Sequence, residues 1–132
     1  MKGRVTGIGG IFFKVKDPAA TRQWYRDHLG VDTMDFGAVF QWRETESENI
    51  GYSVWAPFDA ATEYFEPSDS PFMVNYRVEN IEALLEELGK AGIVQVGELK
   101  VEPNGKFAWV LDPDGKKIEL WEPVPSKDDP YL

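Results

Sequence analysis

A chain of 132 residues, 42% hydrophobic and 28% charged, has the length and balance of one folded globular domain and excludes extended disorder. With 14 basic and 23 acidic side chains the net charge is −9, which repels phosphate backbones and anionic lipids, so neither nucleic acid nor membrane is expected as a partner. Cysteine is absent, which excludes disulfides, thiolate chemistry and cysteine-ligated metal sites.

Residues 8–17, IGGIFFKVKD, place β-branched and aromatic side chains at alternate positions (Ile11, Phe13, Val15) and predict a strand. Asp17-Pro18 then supplies a capping carboxylate and a proline suited to the first helical position. Trp24, Tyr25 and Leu29 mark the apolar stripe of the helix, which ends at Gly30. Three strand-like runs follow, at 31–36, 38–45 and 50–56. Residues 58–71, rich in proline and acidic side chains, read as a linker.

The pattern then repeats. PFMVNYRVEN at 71–80 alternates Val74, Tyr76 and Val78, and Asn80 is placed to cap a helix with Ile81, Leu84, Leu85, Leu88 and Ala91 on one face. Gly92 ends that helix as Gly30 ends the first. Strand-like runs at 93–101, 106–111 and 117–122 follow, the last two joined by the turn Asp112-Pro113-Asp114-Gly115. The closing strands match, YSVWAP at 52–57 against IELWEP at 118–123. The chain therefore reads as βαβββ twice in one α+β domain: module one 5–57, linker 58–71, module two 72–123, and a proline-rich tail 124–132 expected to fray. No apolar run is long enough to span a bilayer, and MKGRVTGIGG lacks the apolar core of a secretion signal, so a cytoplasmic protein is expected.

The paired modules, the stretch DPAATRQWYRDHLG at 17–30 and the ending DPDGKKIELWEP at 112–123 resemble the vicinal oxygen chelate superfamily. That group includes glyoxalases, bleomycin-resistance proteins and extradiol dioxygenases. The resemblance implies curled mixed sheets forming a cup, with the helices packed outside. It also implies a homodimer, and four metal ligands in the metal-dependent members: a His early in the first strand of each module and a Glu in its last. The matching positions here are Gly10, Met73, Ser53 and Glu119, so only Glu119 is retained. One carboxylate does not make a divalent-metal site, and neither metal nor other cofactor is expected. His28, the only histidine, falls on the first helix, outside the cup.

Strand alternation puts Gly10, Phe12 and Lys14 inside the cup from the first strand, and Met73, Asn75 and Arg77 from its counterpart. The same rule sends Ser53 and Trp55, Phe107 and Trp109, and Glu119 and Trp121 inward. Phe12, Ser53, Trp55, Met73, Asn75, Trp109, Glu119 and Trp121 are accordingly the candidate ligand-binding residues. The tryptophans either plug the space left by the lost metal or form a platform for a planar ligand. Glu119 has three readings: a structural ion pair with Lys14 or Arg77, a contact for a cationic or hydrogen-bonding ligand group, or a general base. The leading expectation is a metal-free protein that sequesters a planar, cationic or neutral small molecule in an aromatic cup. The alternative is a lyase, isomerase or dioxygenase using Glu119 as its base or remaining metal ligand.

Overall fold

The computed structural model describes residues 2–45 and 47–132. In chain order the elements are β1 (Arg4–Val15), α1 (Pro18–Leu29), β2 (Ala38–Arg43), β3 (Ile50–Asp59), β4 (Phe72–Glu79), α2 (Ile81–Lys90), β5 (Lys100–Glu102), β6 (Gly105–Leu111) and β7 (Lys117–Pro123). A short 3-10 turn, Ser126–Asp128, follows. No helix among the described residues is long and apolar enough to cross a membrane.

The first helix starts and stops as its sequence dictates. Asp17 accepts from the Ala20 amide at 3.1 Å, Pro18 occupies the first turn, and Gly30 takes the left-handed φ of 68° beyond the last turn. The second helix begins differently. Asn80, the expected cap, lies at φ 57°, and its place is taken by Glu122 of β7, whose Oε1 accepts from the Ile81 amide at 2.8 Å. A carboxylate there also faces the positive end of the helix dipole.

The strands form one seven-stranded sheet in the order β2-β3-β1-β4-β7-β6-β5. Each helix is the crossover of a parallel pair, β1 with β3 and β4 with β7, and the antiparallel pair β1·β4 joins the two modules at the centre. The sheet is thus a single curled wall built within one chain. Two expected strands are reduced. Residues 31–36 contribute only a bridge, Met34 to Gly37, and residues 93–101 contribute β5 plus a bridge from Gln95 to Val110. The tight exchange of bonds between Met34 and Gly37 turns the chain before a longer strand can form.

On the outer face, α2 seals Val78, Ile81, Ala108, Val110 and Leu120 against the sheet. Helix α1 buries none of its residues and is held by Tyr25, whose ring lies 4.7 Å from that of Trp55. Inside the cup, Phe12, Ala56, Phe65, Met73 and Trp109 form a second core. Phe65 comes from the expected linker and is fully buried; strand β3 itself runs on into that segment as far as Asp59.

The tail does not fray. Tyr52 donates to Asp129 Oδ2 at 2.8 Å, the Ser126 amide donates to Asn49 Oδ1 at 2.7 Å, and the Tyr131 ring meets that of Phe36 edge-on at 5.9 Å. The C-terminal residues therefore cross back from module two to module one. Composition marked them as loop, but a buried carboxylate and a phenol hold the loop down.

Candidate functional site

Module two places its inward residues as alternation requires. Asn75, Arg77, Trp109, Glu119 and Trp121 are all buried on the cup side, while Val78, Ala108, Val110 and Leu120 pack under α2. Glu119 lies at the centre. Its Oε1 accepts from Asn75 Nδ2 at 2.6 Å, and its Oε2 accepts from Trp109 Nε1 at 2.9 Å and from the Tyr64 hydroxyl. Burial pushes its carboxyl above the usual carboxylate range, and the three donors pull it back in part. Tyr64 is pushed upward in turn, first by burial and then by the neighbouring carboxylate.

The structural ion pair with Lys14 or Arg77, one of the three readings of Glu119, is not formed. Arg77 lies between the rings of Trp42 and Trp121, at 4.9 and 5.0 Å, with Glu44 at 3.5 Å and the Tyr52 carbonyl at 3.4 Å. Lys14 sits over the Phe65 ring at 5.4 Å. Glu119 is thus a buried carboxylate held by neutral donors.

Module one departs from expectation at its closing strand. Phe12 pairs with Ala56 just as Asn75 pairs with Glu119, and the central pairs Gly10–Asn75 and Phe12–Met73 make Phe12 and Asn75 equivalent positions. Ala56, not Ser53, is therefore the counterpart of Glu119. An odd shift along a strand exchanges its two faces. Tyr52, Val54 and Ala56 consequently line the cup, and Ser53 and Trp55 do not. Ser53 instead links strands, donating to the Ile8 carbonyl at 2.9 Å and accepting from Trp42 Nε1 at 3.1 Å. Trp55 packs outside, between Tyr25 and Phe13. Met73, also expected at the ligand, is buried in the inner core and lines neither cavity described below.

The positions that hold metal in metal-dependent members thus carry Gly10, Ala56, Met73 and Glu119. One carboxylate and a thioether are a poor donor set for a divalent ion. Among the described residues no three His, Cys, Asp or Glu side chains are grouped to hold one. These residues do not fit the metal.

Two cavities meet at Glu119. The inner chamber, of about 160 Å³, is lined chiefly by Phe12, Val54, Tyr52, Phe107 and Trp121, with Asn75 and Glu119 as polar wall. Trp121 is fixed by stacking on Phe107 at 5.9 Å and 5°, by the Tyr52 ring edge-on at 5.1 Å, and by its indole N–H on the Asn104 carbonyl at 3.0 Å. The outer vestibule, of about 630 Å³, adds Tyr64, Lys100, Glu102 and Trp109. Phe107, Asn104, Glu119 and Tyr131 border both spaces.

Sequence reading missed Tyr64, Tyr52, Val54 and Tyr131 as site residues. Tyr64 lies in the apparent linker, and its ring stacks on Phe58 at 5.6 Å and 1°. The one signal available was the aromatic pair Tyr64-Phe65 within an otherwise polar segment.

A family model described as Glyoxalase/Bleomycin resistance protein/Dioxygenase superfamily matches residues 7–120. No curated protein matches the sequence. Among solved structures, methylmalonyl-CoA epimerase from Mycobacterium tuberculosis aligns at 20% identity and TM-score 0.60, over 93% of this chain and 91% of that one. A methylmalonyl-CoA epimerase in complex with methylmalonyl-CoA and NH4+ aligns at 15% identity and TM-score 0.68, over 96% and 100%. The Mn(II)-bound glyoxalase from Novosphingobium aromaticivorans aligns at 18% identity and TM-score 0.57, over 91% of this chain and 40% of that one. At these identities the likeness is one of fold.

Proposed function

The chain belongs to the Glyoxalase/Bleomycin resistance protein/Dioxygenase superfamily, and from that premise we propose that it binds a small molecule with a planar apolar ring, without a resident metal. The observation that carries this reading is the inner chamber. Its volume of about 160 Å³ is close to that of an apolar protein cavity known to take up benzene, roughly 150 Å³. Its walls are aromatic or aliphatic over most of their area, and Asn75 and Glu119 supply the few polar atoms that orient a ligand. Glu119 already accepts from three neutral donors inside this chamber, so the ring and not a positive charge is taken as the feature recognised there.

Titration calorimetry with phenethyl alcohol tests this. The native chain binds it saturably, and Val54→Phe, which fills the chamber from β3, abolishes binding while the chain stays folded. Equal binding by the variant would contradict the reading.

The same carboxylate supports a second reading. A buried Glu119 with a raised pKa, touching the Tyr64 hydroxyl at the junction of two cavities, is placed to move a proton in an isomerase or lyase reaction. The fold neighbours that are epimerases favour it. For any such activity, Glu119→Gln removes turnover and keeps ring binding.

Homodimer assembly, implied by the family, is proposed for this chain too. Ile8 and Ile11 of β1, 47% and 46% exposed, are the apolar side chains such an interface would cover.

A further inference from the structure

Deepening the ring-binding reading and resting on it, we infer that the ligand is an aryl carboxylic acid, its ring in the inner chamber and its carboxylate held in the vestibule by Lys100 and Lys117. Lys117 Nζ lies 5.1 Å from the Tyr64 ring centre and 5.7 Å from that of Trp109, and Lys100 Nζ lies 5.7 Å from the same Trp109 ring. Two ammonium groups thus gather on the aromatic wall whose other side chains hold Glu119. Neither forms an ion pair among the described residues. In a chain of net charge −9, these are two cations outside any salt bridge among the described residues, Lys100 lining the vestibule and Lys117 lying over the Tyr64 and Trp109 rings of its wall.

Their hydrogen-bonding capacity is also open. Lys117 spends one donor on the Tyr64 carbonyl at 2.7 Å, and an ammonium has three. Burial, and to a lesser degree the like charge of Lys100, disfavour the protonated form of Lys117, while the carboxylates of Glu119 and Glu66 offset this in part; an anion between the two lysines adds to that offset. Two acidic residues border the vestibule. Glu119 already accepts from Tyr64, Asn75 and Trp109, and Glu102 stands at the wall with Lys100. That leaves room for the single charge of a carboxylate and penalises a doubly charged phosphate. The distance argument agrees. Phe107, Asn104 and Glu119 border both spaces, so a short side chain on a ring in the chamber reaches the lysines.

The test uses one ring with three charges: phenylacetate, phenethyl alcohol and phenethylamine, titrated calorimetrically into the native chain, Lys100→Met, and the double variant with Lys117→Met. Phenylacetate is expected to bind about tenfold tighter than the alcohol, the modest gain of an anion at a solvent-open pair of lysines, and the amine weakest. The preference shrinks in Lys100→Met and vanishes in the double variant, with alcohol affinity unchanged. Lys100→Met alone keeps the experiment decisive if loss of the Lys117 bond disturbs folding. If the native chain binds all three equally, or the variants keep the preference for the acid, the anion site is overturned and the ring chamber stands. If none of the three binds, the ring chamber itself falls.

Discussion

Asn75 Nδ2 donates to Glu119 Oε1 across 2.6 Å, joining parallel strands β4 and β7 at directly paired positions. The other end of that amide, Asn75 Oδ1, is buried and has no hydrogen-bond partner among the described residues. The asymmetry says which side of the amide the fold is built around. An orphaned acceptor costs free energy, and the bond to Glu119 is the feature that keeps the side chain where it is.

Gly9 is what gives that orphan its space. A Cβ at Gly9 would meet Asn75 Oδ1 at 2.0 Å, Trp121 at 3.0 Å and the Arg77 stem at 3.1 Å. Gly9→Ala is therefore expected to cost about 1–3 kcal/mol by overpacking and to push Asn75 off Glu119. Denaturant unfolding reads the cost, and the chemical shift of the Asn75 side-chain amide reads the displacement. An unshifted amide would show that the wall yields elsewhere.

Glu119 should give stability a pH dependence of definite sign. Its folded pKa is raised by burial above the unfolded value, so the native chain binds the proton more tightly than the unfolded one. That contribution is fully present below the unfolded carboxylate pKa and is lost as pH rises through the folded pKa. Glu119→Gln removes this slope. At the acid end the two chains lie close together, because protonated Glu119 and Gln are both neutral and each presents a donor group in place of an acceptor. Unfolding free energies of both chains across acidic to neutral pH check this, and parallel curves would contradict it.

Trp55 separates packing from binding. It lies outside the cup against Tyr25 and Phe13 and is a principal tie between α1 and the sheet. Trp55→Ala is expected to cost about 2 kcal/mol, below the full cost of a buried tryptophan because Trp55 is only partly buried. Affinity for phenethyl alcohol should change by less than about twofold, since the ring touches nothing in the chamber. Thermal unfolding with calorimetry reads both, and a large loss of affinity would return Trp55 to the site.

Much of the architecture was legible because local signals agreed with one another. Asp17, Pro18 and Gly30 bound α1, the period-2 pattern of β4, β6 and β7 fixes which residues face the cup, and the repeat reveals two modules. The phase of β3 was not legible. YSVWAP matches IELWEP letter for letter at Trp and Pro, yet the ladder sets Ala56 against Phe12, and only the pairing of distant strands reveals it. Tyr64 and Asp129 were hidden for a related reason. Both lie in segments whose composition reads as loop, and the side chain of each is placed by a long-range hydrogen bond, to Glu119 and from Tyr52. The cap of α2 likewise comes from Glu122, 41 residues on in the chain, where no local motif points.

The central claim is that a planar ring occupies the chamber between Phe12, Val54, Phe107 and Trp121. The most direct test is nuclear Overhauser contact between the Val54 methyls of a methyl-labelled chain and the ring protons of bound phenethyl alcohol. The account predicts strong contacts to Val54 and to the Trp121 indole. Saturable binding with contacts only to outer residues such as Trp24 or Ile11 would contradict it.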